Sequence, residues 1–375
     1  MPRAILLVLD RVGCGGTENA SCNGDAGGFP RTKMIDRDSI MPHRDVEASS
    51  QRTRLIILAT GGTIAMTKET AQGGAAMTLG AANLIAAVPR LADFAEVEAL
   101  DVLAKPSADF TLADIAAIAD AATAAAKTGA GIVITHGTDT LEESAFALSL
   151  LVQVETPIVL TAAMRRPDQP SADGPANLLA ASRVAISPAA RGKGILVVAD
   201  EEIHAGPLVR KAHSFRPHAF SSLPFGPLGY VAEERVRFAL ALARRPPRLT
   251  YGGGAPVVPI LEAGPGLEAQ AVEALAAGAI DGLVVSLPGA GHAAAGAVPA
   301  LAGLAERIPV VFASRTGAGE TLRGSYDYPG GEIDLIGRGL IPANALDARK
   351  ARIALQLLLS NRADLAQVRT VFDRF

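Results

Sequence analysis

Short apolar runs rich in β-branched residues alternate with longer Ala- and Leu-rich stretches between residues 54 and 199. The stretch LADIAAIADAATAAA has the spacing of an amphipathic helix, and runs such as GIVIT predict strands. Because the strand-like runs are apolar at almost every position, both faces of each strand are expected to be covered. This alternation predicts an α/β domain around a parallel sheet. The predicted strands are 54–59, 131–135, 157–163 and 194–199, and the predicted helices are 112–126, 141–152 and 173–185.

The composition changes after residue 240. Residues 241–256 are rich in Pro, Arg and Gly, which is typical of a linker between domains. We therefore predict a larger N-terminal domain over 54–240 and a smaller C-terminal α/β domain over 257–375. In the smaller domain the predicted strands are 257–261, 282–287 and 309–314, and the predicted helices are 268–277, 296–306 and 346–359.

Residues 1–50 do not share this pattern, because one apolar run is followed by uneven, glycine-rich sequence. We expect this leader to be disordered. Asp10 interrupts the apolar run too early for a secretory signal, so we expect a cytoplasmic protein. Residues 1–28 resemble the N-terminus of phosphopentomutase, where an aspartate after the first strand binds a metal. The rest of that metal-binding sequence is not apparent, and we interpret the stretch as vestigial.

Charge and composition exclude several classes of function. The net charge of −3 gives no basic footprint for nucleic acid, and no run of 18 apolar residues predicts a membrane span. Cys14 and Cys22 both precede residue 50, which excludes a cysteine nucleophile or a disulfide framework in the main body. The six histidines lack the spacing of helical metal sites. We therefore expect neither a metal nor a nucleic-acid or membrane partner.

Polar residues follow the predicted strands where ligands bind in open α/β sheets, beyond the carboxyl ends of the strands. These segments are TGGT, PSAD, HGTDT and TAAM, followed later in the chain by Lys211 in LVRKAHS. Each has an alternative reading, since TGGT is also a tight-turn sequence and Ser107 also starts a turn. Thr138 and Asp139 would suit the N-terminus of the next helix, and Lys211 a solvated surface. Their shared position at one sheet edge favours a site.

A threonine hydroxyl fits this combination as a nucleophile, provided that a base takes its proton. A lysine can be that base, and a second Thr–Lys–Asp set can deprotonate a hydroxyl or a water. Glycine-rich backbone would supply N–H donors to the oxyanion of a tetrahedral intermediate. The residues therefore predict hydrolysis through a threonine nucleophile.

Four segments resemble the bacterial-type L-asparaginase/glutaminase family: LIILATGGTIA, ITHGTDTLEESAFAL, AAMRRPDQPSADGPANL and GPLGY. The resemblance extends from about residue 54 to the C-terminus. It implies a flavodoxin-like larger domain, a smaller C-terminal α/β domain and a homotetramer built from intimate dimers. It also implies hydrolysis of L-asparagine to L-aspartate and ammonia without a metal or a cofactor, and leaves a glutaminase side activity open.

The resemblance assigns roles residue by residue. Thr63 matches the nucleophile, and Thr138, Asp139 and Lys211 match the second catalytic group. Asp139 would also bind the α-ammonium group of the substrate.

Three further residues are expected to bind the substrate. Ser107 matches the serine that binds the α-carboxylate, and the backbone near Ala163 matches the segment that contacts the side-chain amide. Gly62 would let the backbone approach the substrate closely. Thr140 is expected only to cap the following helix.

Three departures from the family pattern concern turnover and selectivity. The loop at 66–80 lacks the tyrosine that usually helps to activate the nucleophile, and Ala108 stands where glutamine is common. His292 lies near a position where asparagine is common. The segment 314–330 resembles the one that reaches a neighbouring subunit's site, with Glu320 and Tyr326 as candidates.

Two other functions are compatible with the same residues. One is an amino-acid-binding or regulatory protein with little turnover, which the missing loop tyrosine favours. The other is the ammonia-releasing subunit of a tRNA-dependent amidotransferase, although such chains usually carry an additional structured domain before the TGGT strand. A working phosphopentomutase is supported by residues 1–28 alone. Ammonia release from L-asparagine separates an asparaginase from an amino-acid sensor.

Overall fold

The structure is a computed structural model that describes residues 52–62, 64, 66–68, 75–77, 80–266 and 269–375. The predicted leader at 1–50, with the stretch that resembles phosphopentomutase, lies outside the described residues. The residues from Gln51 to Phe375 group into one unit by their contacts.

Strands and helices alternate along much of the chain as the sequence predicts, but between residues 195 and 262 strands follow one another without a helix. The strands are β1 Thr53–Ala59, β2 Met66–Lys68, β3 Ala75–Met77, β4 Ala95–Asp101, β5 Gly131–Thr135, β6 Ile158–Thr161, β7 Ile195–Ala199, β8 Glu202–Ala205, β9 Arg210–Lys211, β10 Phe220–Ser221, β11 Gly229–Ala232, β12 Arg235–Phe238, β13 Ile260–Glu262, β14 Leu283–Leu287, β15 Val310–Ser314 and β16 Ile341–Pro342. The helices are α1 Ala81–Ala86, α2 Leu112–Ala126, α3 Leu141–Leu151, α4 Gly174–Ile186, α5 Ala269–Ala276, α6 Val298–Ala305, α7 Glu332–Gly337, α8 Ala348–Ser360 and α9 Leu365–Phe372.

The N-terminal domain contains a large sheet with the strand order β12-β11-β8-β7-β6-β5-β1-β4. The strands from β4 to β7 in this order are parallel, as predicted, whereas β8, β11 and β12 are antiparallel additions at one edge. The reversal occurs at Asp200 and Glu201, which both have positive φ angles, 49° and 65°. Positive φ at both central residues is the geometry of a tight hairpin turn, so β8 folds back beside β7. The sheet is therefore mixed.

Helices cover both faces of this sheet, because successive side chains of a strand point to opposite faces. Ile56 and Leu58 of β1 belong to an apolar cluster with α2 and α3, whereas Leu55 and Ile57 pack on the other side with α4. All four side chains are buried. The prediction of strands covered on both faces is confirmed.

The C-terminal domain has a smaller parallel sheet in the order β13-β14-β15-β16. Its last long helix, α8, also packs against α3 of the N-terminal domain. Apolar residues of both helices belong to one cluster. α8 therefore joins the two domains, and the predicted α/β class with two unequal domains is confirmed. In the part of the chain that the structure describes, no helix is both long and apolar enough to cross a bilayer.

Gly131, at the start of β5, should not accept a larger side chain. A Cβ atom there would lie 2.4 Å from the backbone oxygen of Ala185 in α4. We expect Gly131→Ala to lower the free energy of unfolding by about 2 kcal/mol, because helix and strand must move apart. A matched control is Gly303→Ala in α6, where a Cβ meets nothing within 4 Å. It should raise stability by about 0.5–1 kcal/mol through helix propensity. Urea unfolding tests both, and equal stability of the two variants would contradict the packing argument.

Candidate active site

The ends of β1, β5 and β6 lie side by side at one edge of the large sheet. Thr60, which follows β1, donates both its backbone N–H and its hydroxyl to the carbonyl oxygen of Thr135, with the hydroxyl at 2.8 Å. His136, which follows β5, donates its N–H to the carbonyl oxygen of Thr161. These bonds hold the polar segments TGGT, HGTDT and TAAM next to one another.

Lys211 lies against the segment that follows β5. Its Nζ atom is 2.9 Å from the hydroxyl oxygen of Thr138 and 2.9 Å from Oδ1 of Asp139. The Lys211 side chain is 16% exposed, whereas that of Asp139 is 65% exposed. The structure therefore brings together three of the four residues assigned to catalysis, with the Asp139 carboxylate facing solvent.

Gly62 and Gly137 allow the segments after β1 and β5 to touch. Gly62 has a φ angle of +90°, and a Cβ atom on it would lie 2.5 Å from the Cα atom of Gly137. On its other side Gly137 packs against Ser107, whose hydroxyl oxygen would be 2.6 Å from a Cβ atom on Gly137. Only glycine fits this stack at both positions. Two predicted substrate-binding residues, Gly62 and Ser107, thus flank one glycine.

Ser107 is buried, and its hydroxyl has no hydrogen-bond partner among the described residues. Its backbone carbonyl accepts a hydrogen bond from the Thr140 hydroxyl at 2.7 Å. Thr140 occupies the N-cap position of α3, as expected, but its side chain makes no capping hydrogen bond. The hydroxyl instead anchors the loop that carries Ser107.

Ala163 lies in a segment fixed from several sides. The Asp173 carboxylate accepts the N–H groups of Met164 and Arg165 at 2.9 and 2.8 Å. Asn177 donates to the carbonyl oxygen of Ala162 at 3.0 Å. Such bonds hold the backbone around the buried Ala163 in a defined position at the sheet edge.

Thr63, the assigned nucleophile, lies outside the described residues, so its assignment stays a prediction. Its described neighbours contact two different parts of the edge. Gly62 touches Gly137, and Ile64 is buried with its Cγ1 atom 3.0 Å from the position of a Cβ on Gly174. Much of the loop at 66–80 also lies outside the described residues, and the consequence of its missing tyrosine remains untested.

Sequence reasoning missed Glu142, in the first turn of α3. This carboxylate is buried, accepts the backbone N–H of Lys211 at 2.7 Å, and pairs with Arg349 of α8 at 2.7 Å. Burial raises the pKa of Glu142, and the Arg349 guanidinium acts in the opposite direction. The acidic pair in LEESAFAL was the sequence feature that could have identified Glu142. Acidic side chains need partners when the helix that carries them is buried on most sides.

The candidates of the C-terminal domain do not all lie together. His292 packs edge-on against Tyr326 and Tyr328, with its Nε2 atom 3.3 Å from Oε2 of the buried Glu332. Glu320 is exposed and lines a different cavity of about 340 Å³. Among the described residues, no group of three or more His, Cys, Asp or Glu side chains is placed to hold a metal ion.

The chain matches two known family models. The family model described as "Asparaginase, N-terminal" matches residues 54–244, and the one described as "Glutaminase/Asparaginase C-terminal domain" matches residues 257–372. The chain belongs to the L-asparaginase/glutaminase family. The resemblance inferred from the four sequence segments is therefore confirmed, and the chain is a member of an enzyme family.

Relatives within the L-asparaginase/glutaminase family cover most of the chain. A protein of Deinococcus radiodurans named "Probable L-asparaginase" is 40% identical over 255 residues, which is 65% of this chain and 75% of that protein. "L-asparaginase 2" of Escherichia coli is 32% identical over 335 residues, 86% of this chain and 93% of its own. The solved structure of "Probable Cytoplasmic L-asparaginase from Campylobacter jejuni" has a TM-score of 0.78 at 30% identity, covering 86% of this chain and all of that one.

His136 lies under the site and should make stability depend on pH. Its side chain is fully buried, and burial lowers its pKa to about 4. Its Nδ1 atom is 2.7 Å from the carbonyl oxygen of Gly137, so this nitrogen carries the proton of the neutral ring. The unfolded chain binds a proton below its ordinary pKa of about 6.5, whereas the folded chain binds it only below about 4.

Stability is therefore lost as the pH falls from about 6.5 to about 4. The difference amounts to about 2 kcal/mol of unfolding free energy between pH 7 and pH 5 for this one group. We expect His136→Gln to reduce the loss by that amount in urea titrations at the two pH values. His204, whose pKa burial also lowers to about 4, provides a second variant with the same expected effect. An unchanged pH dependence in both variants would refute the neutral, buried state.

Proposed function

We propose that this chain hydrolyses L-asparagine to L-aspartate and ammonia. The observation that carries the proposal is the Lys211 Nζ atom, which contacts both Thr138 and Asp139 at 2.9 Å at the carboxyl edge of the sheet. Membership of the L-asparaginase/glutaminase family supports the same reaction. We also propose a glutaminase side activity, which is to be measured beside the asparaginase activity.

The reaction proceeds in two stages through a covalent intermediate. Thr63 attacks the carbon of the side-chain amide, and its hydroxyl proton passes to the leaving ammonia, so that an ester to Thr63 forms as the C–N bond breaks. A water then attacks this ester, and L-aspartate is released as the Thr63 hydroxyl is restored. The group of Thr138, Lys211 and Asp139 accepts and returns the proton of the attacking hydroxyl or water.

The arrangement also suits an α-amino acid as substrate. The exposed carboxylate of Asp139 binds the α-ammonium group, and the unpartnered hydroxyl of Ser107 donates to the α-carboxylate. The side-chain amide extends toward the fixed backbone near Ala163, while the backbone N–H groups near Gly62 face the developing oxyanion. A ligand without an α-ammonium would lack this ion pair with Asp139, which favours amino acids over simple amides.

We further propose a homotetramer of intimate dimers in the cytoplasm. Tyr326 and Tyr328 are 45% and 46% exposed in the segment that resembles the family's reach toward a neighbouring subunit. The Campylobacter jejuni relative is described as cytoplasmic, whereas a relative in Haemophilus influenzae is named periplasmic. Light scattering and cell fractionation decide these two points.

We also propose domain limits of 54–240 and 257–375 with a linker at 241–256, which the bounds of the family models support.

The test is ammonia release from L-asparagine and L-glutamine. The wild-type chain should release ammonia from L-asparagine, and Lys211→Met should lower kcat by about 100-fold or more, because a thioether cannot accept a proton. Thr63→Ala should bind L-aspartate, as seen by thermal stabilisation, but release almost no ammonia. A folded wild-type chain that binds aspartate without turnover would instead be an amino-acid sensor. Near-normal turnover in Lys211→Met would end the assignment of this base.

A further inference from the structure

The backbone of Lys211 is held by a residue that does not belong to its own strand. The N–H of Lys211 donates to Oε2 of Glu142 at 2.7 Å, across 69 residues of sequence. Glu142 lies in the first turn of α3, and its side chain is 3% exposed. This buried acceptor fixes the position of the Lys211 backbone relative to Thr138. Thr138 lies just before α3, the helix that carries Glu142.

The other carboxylate oxygen of Glu142 forms an ion pair with a residue of the C-terminal domain. Arg349, in the first turn of α8, places Nη1 2.7 Å from Oε1 of Glu142. α8 therefore reaches Lys211 through one intermediate side chain.

A second contact from α8 holds the same segment two residues earlier. Lys350 donates from Nζ to the carbonyl oxygen of Val209 at 2.9 Å, and Lys350 is 5% exposed. The nearest carboxylate oxygen, Oδ2 of Asp347, is 4.0 Å away. Asp347 caps α8 and accepts the backbone N–H groups of Arg349 and Lys350, so both side chains leave from a fixed helix end.

We infer that α8 of the C-terminal domain positions the Lys211 ammonium against Thr138 and Asp139, through Glu142 on one side and Val209 on the other. Glu142 and Lys350 are positioning residues, since neither contacts the reacting atoms. This inference rests on the proposed function for its effect on turnover, because it concerns the base of that reaction. Its structural part, the immobilisation of residues 209–211, stands independently.

The same interface contains a contact that serves as a matched control. Arg352, one turn further along α8, pairs with Glu143 at 2.6 Å. This ion pair also joins the two domains, but among the described residues it makes no hydrogen bond to Lys211 or Val209. Loss of Arg352 should weaken the contact between the domains but leave Lys211 held in place. Loss of Glu142 or Lys350 should weaken that contact and also release the segment that carries Lys211.

Four variants of the full chain test the inference: Glu142→Leu, Glu142→Gln, Lys350→Met and Arg352→Met. Glu142→Leu removes the acceptor, and we expect kcat to fall by about 10- to 100-fold with KM changed by less than about 3-fold. Glu142→Gln keeps an oxygen acceptor and should restore kcat to within about 3-fold of wild type. Lys350→Met should lower kcat by about 10-fold, while Arg352→Met should stay within about 2-fold.

Amide hydrogen exchange by mass spectrometry is measured on the same proteins as a readout that does not need turnover. Protection of residues 208–212 should be lost in Glu142→Leu and Lys350→Met and retained in Glu142→Gln and Arg352→Met. If the wild type releases no ammonia but this exchange pattern holds, the proposed function fails and the positioning stands. Unchanged exchange and unchanged kcat in both Glu142→Leu and Lys350→Met, or an equal loss in Arg352→Met, would overturn the inference.

Discussion

One charged contact determines what this sheet edge can do: the Lys211 ammonium lies between the Thr138 hydroxyl and the Asp139 carboxylate. An ammonium needs partners when it leaves bulk water, and both partners come from the loop after a fully buried strand, β5. The segment that carries Lys211 must therefore return from the antiparallel edge of the sheet to this loop. The glycines at 62 and 137 and the Thr140 hydroxyl bring the neighbouring loops, including that of Ser107, against the same point.

The two domains are connected by polar contacts beside this site as well as by apolar packing. α8 shares an apolar cluster with α3, which immediately follows the Thr138–Asp139 loop. Its polar first turn reaches Glu142 and the carbonyl of Val209, where buried polar groups require partners. The smaller domain thus contributes to the geometry of a site whose assigned catalytic residues all lie in the larger one.

The sequence predicts this fold well where local patterns decide it, and less well where distant residues meet. Most of the parallel strands and most helices follow from apolar runs and helical spacing, whereas the partly exposed β4 was not predicted. The β7–β8 hairpin was missed because its turn uses Asp200 and Glu201 at positive φ, which neither residue type strongly signals. Lys211 and Ser107 were found among the polar segments near the strand ends, and the family resemblance assigned their roles. Glu142 and Lys350 were missed because their partners lie 69 and 141 residues away, and no local spacing records such a contact.

We propose that Thr138, Asp139, Lys211 and Ser107 form a single pocket for an amino acid. The most direct test is a crystal structure of the full chain with L-aspartate, the proposed product. We expect the α-ammonium of aspartate within about 3 Å of the Asp139 carboxylate and its α-carboxylate within the same distance of the Ser107 hydroxyl. The side-chain carboxylate should extend toward the backbone near Ala163. Aspartate bound elsewhere, or bound with neither Asp139 nor Ser107 in contact, would contradict it.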